Sequence, residues 1–186
     1  MTIDEAFSIA PRSNFLPRSV RLQAGLDVPL SIGFNQTNSQ PSTVRQMLQW
    51  LDAHPGDSVL DVGSGSGWTS ALLAKIVEPN GRVFAVEKIP ELVEFGRTNC
   101  GGLGITNVRF FKSKAVYGLP EYAPFTRILV SAAAGNFPEQ LFDQLAVHGK
   151  IVVPVGNSIL EITKTSPHER EIIEHPGFVF VPLVRD

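Results

Sequence analysis

From Ser58 onward the chain repeats one unit: a short apolar run rich in β-branched residues, a turn, then a stretch with helical spacing. "SVLDVG" and "WTSALLAKIV" make the first unit, "RVFAVE" and "PELVEFGRTNCGGLG" the second. "NVRFF", then "RILVSAA" with the helix "PEQLFDQLA", continue the pattern. Strands alternating with helices pair in parallel, because a right-handed crossover returns each strand to the same end of the sheet. "GKIVVPVG", "ILEITKT" and "GFVFVPLV" follow without intervening helices, so an antiparallel hairpin is expected to finish the sheet. The expected fold is α/β, a doubly wound and mainly parallel Rossmann-like sheet. Residues 1–40 differ: rich in Pro, Asn, Ser and Gly with little periodicity, they read as a short helix plus long loops. "PSTVRQMLQWLDA" places Val44, Met47, Leu48 and Leu51 at helical spacing behind Pro41, and "HPGD" breaks the helix. One domain over residues 1–186 is expected, its α/β core spanning 56–186.

The first strand-to-helix turn, "LDVGSGSGW", narrows the ligand. Ligands of such sheets sit beyond the carboxyl ends of the strands, where the strand order switches. Gly63, Gly65 and Gly67 permit positive φ and close approach to the backbone. A tight turn without ligand is the bland alternative. A dinucleotide fingerprint fails because its last glycine position is Trp68, and a phosphate-cradling P-loop fails because no lysine follows Gly67. The nucleophile elbow fails because Gly65 stands where its serine belongs. What remains is Asp61-x-Gly-x-Gly-x-Gly, with Glu87 ending the next strand where it can bind ribose hydroxyls. Asp61 disfavours a pyrophosphate but suits an ammonium or sulfonium. S-adenosylmethionine carries both cations and an adenosine.

Composition excludes other classes. A net charge of −2 gives no electrostatic case for nucleic acid or an anionic membrane. The apolar runs "ALLAKIV" and "KIVVPV" are too short to span a bilayer, and "MTIDEAFSIAPRSNF" lacks the pattern of a secretory leader. Cys100 is the single cysteine, which fits a reducing cytoplasm. His54, His148, His168 and His175 lack metal-ligand spacing, so no metal is expected.

Further segments resemble the protein-L-isoaspartate (D-aspartate) O-methyltransferases. "DVPLSIGFNQTNSQP" is similar to that family's D-x-P-L-x-I-G-x-G-Q-T-I-S-x-P, and "VLDVGSGSGWTSALLAKIV" to its cofactor loop. "VFAVEKIPELVEFGR", "APFTRILVSAAAGNFPEQLFDQL", "GKIVVPVG" and "FVFVPLV" extend the likeness nearly end to end. The resemblance implies methyl transfer from S-adenosylmethionine to the side carboxylate of an isoaspartyl residue in damaged protein. The ester then collapses to a succinimide that can reopen to aspartate. A carboxylate with a pKa near ~4 is already ionised at neutral pH and needs no general base. Residues 1–55 would cover the substrate and cofactor. Ser39 stands at the active-site serine, with Thr37 and Gln40 beside it. Asp61, Gly63, Ser64, Gly65, Gly67, Glu87, Lys88, Lys114 and Ala115 would contact the cofactor. Ser131, Ala132 and Ala133 would leave room for the methyl group and peptide, or simply pack helix against sheet. A monomer acting on isoaspartyl proteins is expected, with S-adenosylhomocysteine as its product.

The chain departs from the family pattern at several places. Ser113, Lys114 and Ala115 replace Gly-Asp-Gly, whose aspartate binds the adenine amino group. Thr126 replaces the aspartate of Ala-Pro-Phe-Asp, Asn38 the isoleucine of Gln-Thr-Ile-Ser, and Asn35 the glycine before Gln36. Two alternatives stay open: a diverged class I methyltransferase with another acceptor, and a non-catalytic nucleoside-binding member.

Overall fold

The computed structural model describes residues 1–182. Helix α1 (Ile3–Ile9) and two 3₁₀ turns precede a small hairpin, β1 (Leu30–Gly33) and β2 (Gln36–Asn38). Helix α2 (Pro41–Leu51) leads to β3 (Ser58–Val62), α3 (Trp68–Val77), β4 (Arg82–Glu87), α4 (Pro90–Gly102), β5 (Val108–Lys112) and β6 (Phe125–Val130). Helix α5 (Glu139–Asp143), β7 (Leu145–Val155), β8 (Ser158–Lys164) and β9 (Arg170–Pro176) follow. The main sheet runs β5-β4-β3-β6-β7-β8-β9. Strands β3 to β7 pair in parallel, while β8 and β9 are antiparallel additions. The fold is the doubly wound α/β sheet with a terminal antiparallel hairpin.

Period-two burial explains how helices cover both faces. Val59, Val83, Ala85, Leu129 and Val152 pack with α1 to α4 on one side. Leu60, Val62, Phe84, Val86, Ile128 and Val153 pack with α5 and the loop after β5 on the other. The order reverses at β3, which has β4 on one side and β6 on the other. Asp61 shares the α3 face and is therefore buried beneath that helix rather than turned toward solvent. Glycines permit close packing there: a Cβ on Gly67 would lie 2.9 Å from the Gly96 Cα, and one on Gly96 would lie 2.6 Å from the Phe110 ring.

Three sequence expectations need correction. "GFVFVPLV" is not a strand over residues 177–182; its last two residues lie outside the described part. The hairpin's second strand is instead β9, "REIIEHP", paired from Lys164↔Arg170 to Ser158↔Pro176. Gly177, at φ +96°, turns the chain off the sheet, and Phe178 packs edge-on against Trp50 of α2. Second, residues 30–38 form a hairpin where loops were expected, turning at Phe34 and Asn35 with φ of +54° and +56°. Third, α5 stops at Asp143, because the buried Gln144 side chain is bonded to Leu119 N, Tyr117 O and Gln140 O and β7 begins at Leu145. Among the described residues, no helix is long and apolar enough to cross a membrane.

Candidate active site

The glycine turn lies at the carboxyl end of β3, where the strand order reverses. Gly63, Gly65 and Gly67 all take positive φ, +80°, +52° and +84°. The Gly63 and Ser64 amides donate to the Val86 carbonyl at 2.8 and 3.1 Å, tying the loop to β4. Glu87, at the end of β4 and only 7% exposed, is oriented by three backbone amides. Gly65 N donates to its Oε2 at 2.8 Å; Lys88 N and Ile89 N donate to its Oε1 at 2.7 and 3.0 Å. Oε1 thus accepts two donors, while Oε2 accepts one and keeps a lone pair for a ligand's hydroxyl.

Gly63, Gly65, Glu87 and Lys88 line a cavity together with Ser113 and Lys114. Ala132 also lines it; Ala133 does not, but donates from its amide to the Val181 carbonyl and so holds the C-terminal segment. Ala115 is exposed and outside the lining. The Lys114 ammonium reaches Glu121 Oε1 at 2.6 Å, with its side chain 69% exposed. That pairing raises the lysine's pKa and lowers the glutamate's. Sequence reasoning missed Tyr117 and Gly118, which also line this cavity. Gly118, at φ +79°, abuts the Gln144 amide, a tertiary contact with no local signature.

Asp61 and Gly67 serve the loop from beneath. The Ser70 hydroxyl donates to Asp61 Oδ2 at 2.6 Å, and Oδ1 has no direct partner. Burial pushes this carboxyl up to about 6; Ser70 opposes the shift, Glu87 adds to it, and Ser131 exerts a weaker opposing pull. Gly67 packs against α4 instead of lining the cavity. Ser64 is buried with an unpartnered hydroxyl and borders a small cleft shared with Thr37, Ser39 and Ser131.

A second cavity adjoins the first. Ser39 and Gln40 line it from the link between β2 and α2, Thr43 and Gln46 from α2, and Phe178 and Phe180 from the C-terminal segment. Thr37 and Ser131 line both cavities, so the two meet there. Gln40 is held by Asp27, which accepts from its Nε2 at 3.0 Å and from Ser42 N at 2.8 Å. These two bonds lower the Asp27 pKa. Thr126 lies at the opposite end of β6. Its hydroxyl bonds both backbone groups of Ser58, at 3.1 and 3.2 Å, so this departure bears on strand pairing and not on ligand choice. Among the described residues, no group of three or more His, Cys, Asp or Glu could hold a metal ion.

The oriented, buried Glu87 carboxylate and the positive-φ glycines suit a cationic nucleoside such as S-adenosylmethionine. A sequence profile of the protein-L-isoaspartate(D-aspartate) O-methyltransferase family matches residues 1–186. A protein-L-isoaspartate O-methyltransferase of Aeropyrum pernix is 46% identical over 97% of this chain and 71% of its own length. A solved protein-L-isoaspartate O-methyltransferase superposes with a TM-score of 0.90 at 28% identity, covering 98% of this chain; this chain spans 61% of that one. A Plasmodium falciparum structure described as the same enzyme, in complex with S-adenosyl-L-homocysteine, gives 0.86 at 26% identity over 99% and 90% of the two chains. With a whole-chain profile match and a relative this similar, the chain belongs to the protein-L-isoaspartate (D-aspartate) O-methyltransferase family.

Proposed function

We propose that the chain uses S-adenosylmethionine to methylate the side carboxylate of isoaspartyl residues in damaged proteins. The observation that carries this is the junction of two cavities at Thr37 and Ser131, one built from the glycine turn and Glu87, the other from Ser39, Gln40 and the C-terminal segment. Gly63, Gly65 and Glu87 would hold the nucleoside, Glu87 accepting from its ribose hydroxyls. Ser64 would offer its unpartnered hydroxyl beside the ligand's amino-acid end, with the buried Asp61 carboxyl beneath the turn. Bound S-adenosylmethionine supplies an electrophilic methyl group. The acceptor carboxylate is already ionised, so the protein's task is alignment and exclusion of water, which can account for several kcal/mol of a barrier, up to about 7–11. Ser39 would orient that carboxylate or the methyl donor without acting as a nucleophile, with Thr37, Gln40 and Ser131 beside it. The lining of the second cavity carries no charged side chain among the described residues, which suits a peptide better than a polyanion. The reading extends to a monomer in a reducing cytoplasm, acting on neither nucleic acid nor membrane. The near-neutral net charge supports the absence of nucleic-acid and membrane partners, and the single cysteine fits a reducing compartment.

Ser39→Ala tests the assignment. Single-turnover methylation of an isoaspartyl peptide should fall roughly tenfold, the equivalent of one oriented hydrogen bond of about 1–3 kcal/mol. Calorimetric affinity for S-adenosylhomocysteine should stay nearly the same. Equal turnover in variant and wild type would remove Ser39 from the mechanism.

Lys114 sets a second expectation. An ammonium can only donate, so it cannot accept from an adenine amino group, and its pairing with Glu121 turns it elsewhere. Ser113→Gly, Lys114→Asp, Ala115→Gly together should tighten cofactor binding by roughly 10- to 150-fold, the equivalent of a charged hydrogen bond. Titration of both forms in one buffer decides; equal affinities would mean that adenine is recognised elsewhere.

A further inference from the structure

Asn38, one of the departures from the family pattern, stands where that pattern has isoleucine, yet it is 5% exposed. A buried amide needs partners for both its ends. Arg12 Nε donates to Asn38 Oδ1 at 2.7 Å, and Asn38 Nδ2 donates to Ser66 Oγ at 3.1 Å. Ser66 sits between Gly65 and Gly67, is 2% exposed, and its carbonyl accepts from Asn99 Nδ2 of α4 at 3.0 Å. The Arg12 guanidinium, 6% exposed, also donates to the carbonyls of Leu26, Val28, Asn38 and Ser39 at 2.8–2.9 Å. One hydrogen-bonded path therefore runs from the backbone of Ser39, through Arg12 and the Asn38 amide, to the glycine turn. Isoleucine could make neither side-chain bond.

We propose that Asn38 is a positioning residue, latching the Thr37–Ser39 segment to the glycine turn through Ser66 and Arg12. The guanidinium fixes which end of the amide faces it, leaving the Nδ2 donor for Ser66. Two restraints on one short side chain limit sliding of β2 over the turn, and small misplacements of reacting groups are costly in rate. Its catalytic consequence rests on the reading that these two elements hold the acceptor and S-adenosylmethionine.

Ser66→Ala, Asn38→Ile and the double variant form the test, with Asn38→Asp as the conservative partner. The aspartate retains Arg12 and can accept from the Ser66 hydroxyl. Amide hydrogen exchange of the ligand-free proteins reads the latch directly. Exchange at residues 37–39 should rise about fivefold in Ser66→Ala, the equivalent of one ordinary hydrogen bond, and further in Asn38→Ile, which also loses the bond from Arg12, while β3 and β4 stay protected. In turnover, kcat on an isoaspartyl peptide should fall about fivefold in Ser66→Ala and further in Asn38→Ile with KM little changed, and the double variant should be no slower than Asn38→Ile. Asn38→Asp should restore exchange and kcat. Unchanged exchange at 37–39 in Ser66→Ala overturns the latch whether or not the protein methylates anything, and so do single-variant losses that multiply in the double variant. Wild-type protein that fails to bind S-adenosylhomocysteine contradicts the cofactor reading instead, and leaves the exchange result to decide the latch.

Discussion

Gly65→Val is expected to abolish binding of S-adenosylmethionine and S-adenosylhomocysteine in a protein that still folds. Gly65 lines the first cavity at φ +52°, and its amide donates to Glu87 Oε2 at 2.8 Å. A β-branched residue is disfavoured at that φ, so the turn must move and break this bond. Glu87 would then lose one of the three backbone donors that orient it. The added side chain also occupies space a ligand needs, while its Cβ would meet the Ile32 side chain at 3.2 Å, a contact a flexible methyl can relieve. Loss of backbone approach and of the oriented carboxylate should weaken affinity more than about 100-fold, the equivalent of ~3 kcal/mol. Calorimetry on a variant with a cooperative thermal transition measures this. An unchanged Kd would take the turn out of the cofactor site.

Asp61 should give the ligand-free protein a stability that falls as pH rises from about 4 to about 6. Burial pushes its carboxyl up to about 6 in the folded chain, against an ordinary value of 3.8. Between those values the folded state binds more protons than the unfolded state, so rising pH favours unfolding, and the effect levels off above 6. About two pKa units correspond to about 3 kcal/mol. Asp61→Asn cannot titrate, so its unfolding free energy should lose that slope. Urea unfolding at half-unit steps from pH 4 to 7 compares the two proteins. The same slope in both would assign the titration to another group.

The parallel core was legible because each of its strands must bury alternate residues against two helical layers, and runs such as "SVLDV" and "RVFAVE" admit little else. Gly65 and Glu87 were legible in placement: a positive-φ strand-to-helix turn and the end of the neighbouring strand, which meet at one cavity. Asp61 was legible as an acidic position but not in its placement. Its direction follows from the pleat, which turns it under α3 toward Ser70. The hairpin at 30–38 was hidden because its turn uses Phe34 and Asn35 without the usual glycine. Its hold on the core depends on Arg12, more than twenty residues away along the chain. At the other end, β9 has apolar Ile172 and Ile173 exposed among charged neighbours, so alternation gave no signal. The apolar "GFVFV" did look like a strand. Phe178 and Phe180 are partly buried against the α2-side core, so its hydrophobicity serves packing outside the sheet.

Methyl transfer to a matched pair of peptides decides whether the protein acts on isoaspartyl carboxylates. The two peptides share one sequence and differ only in carrying isoaspartate or aspartate at a single position, and each is incubated with the protein and S-adenosylmethionine labelled in its methyl group. The account predicts a base-labile methyl ester on the isoaspartyl peptide, stoichiometric formation of S-adenosylhomocysteine, and no label on the aspartyl peptide. Equal labelling of both peptides, or cofactor binding with no label on either, would contradict it.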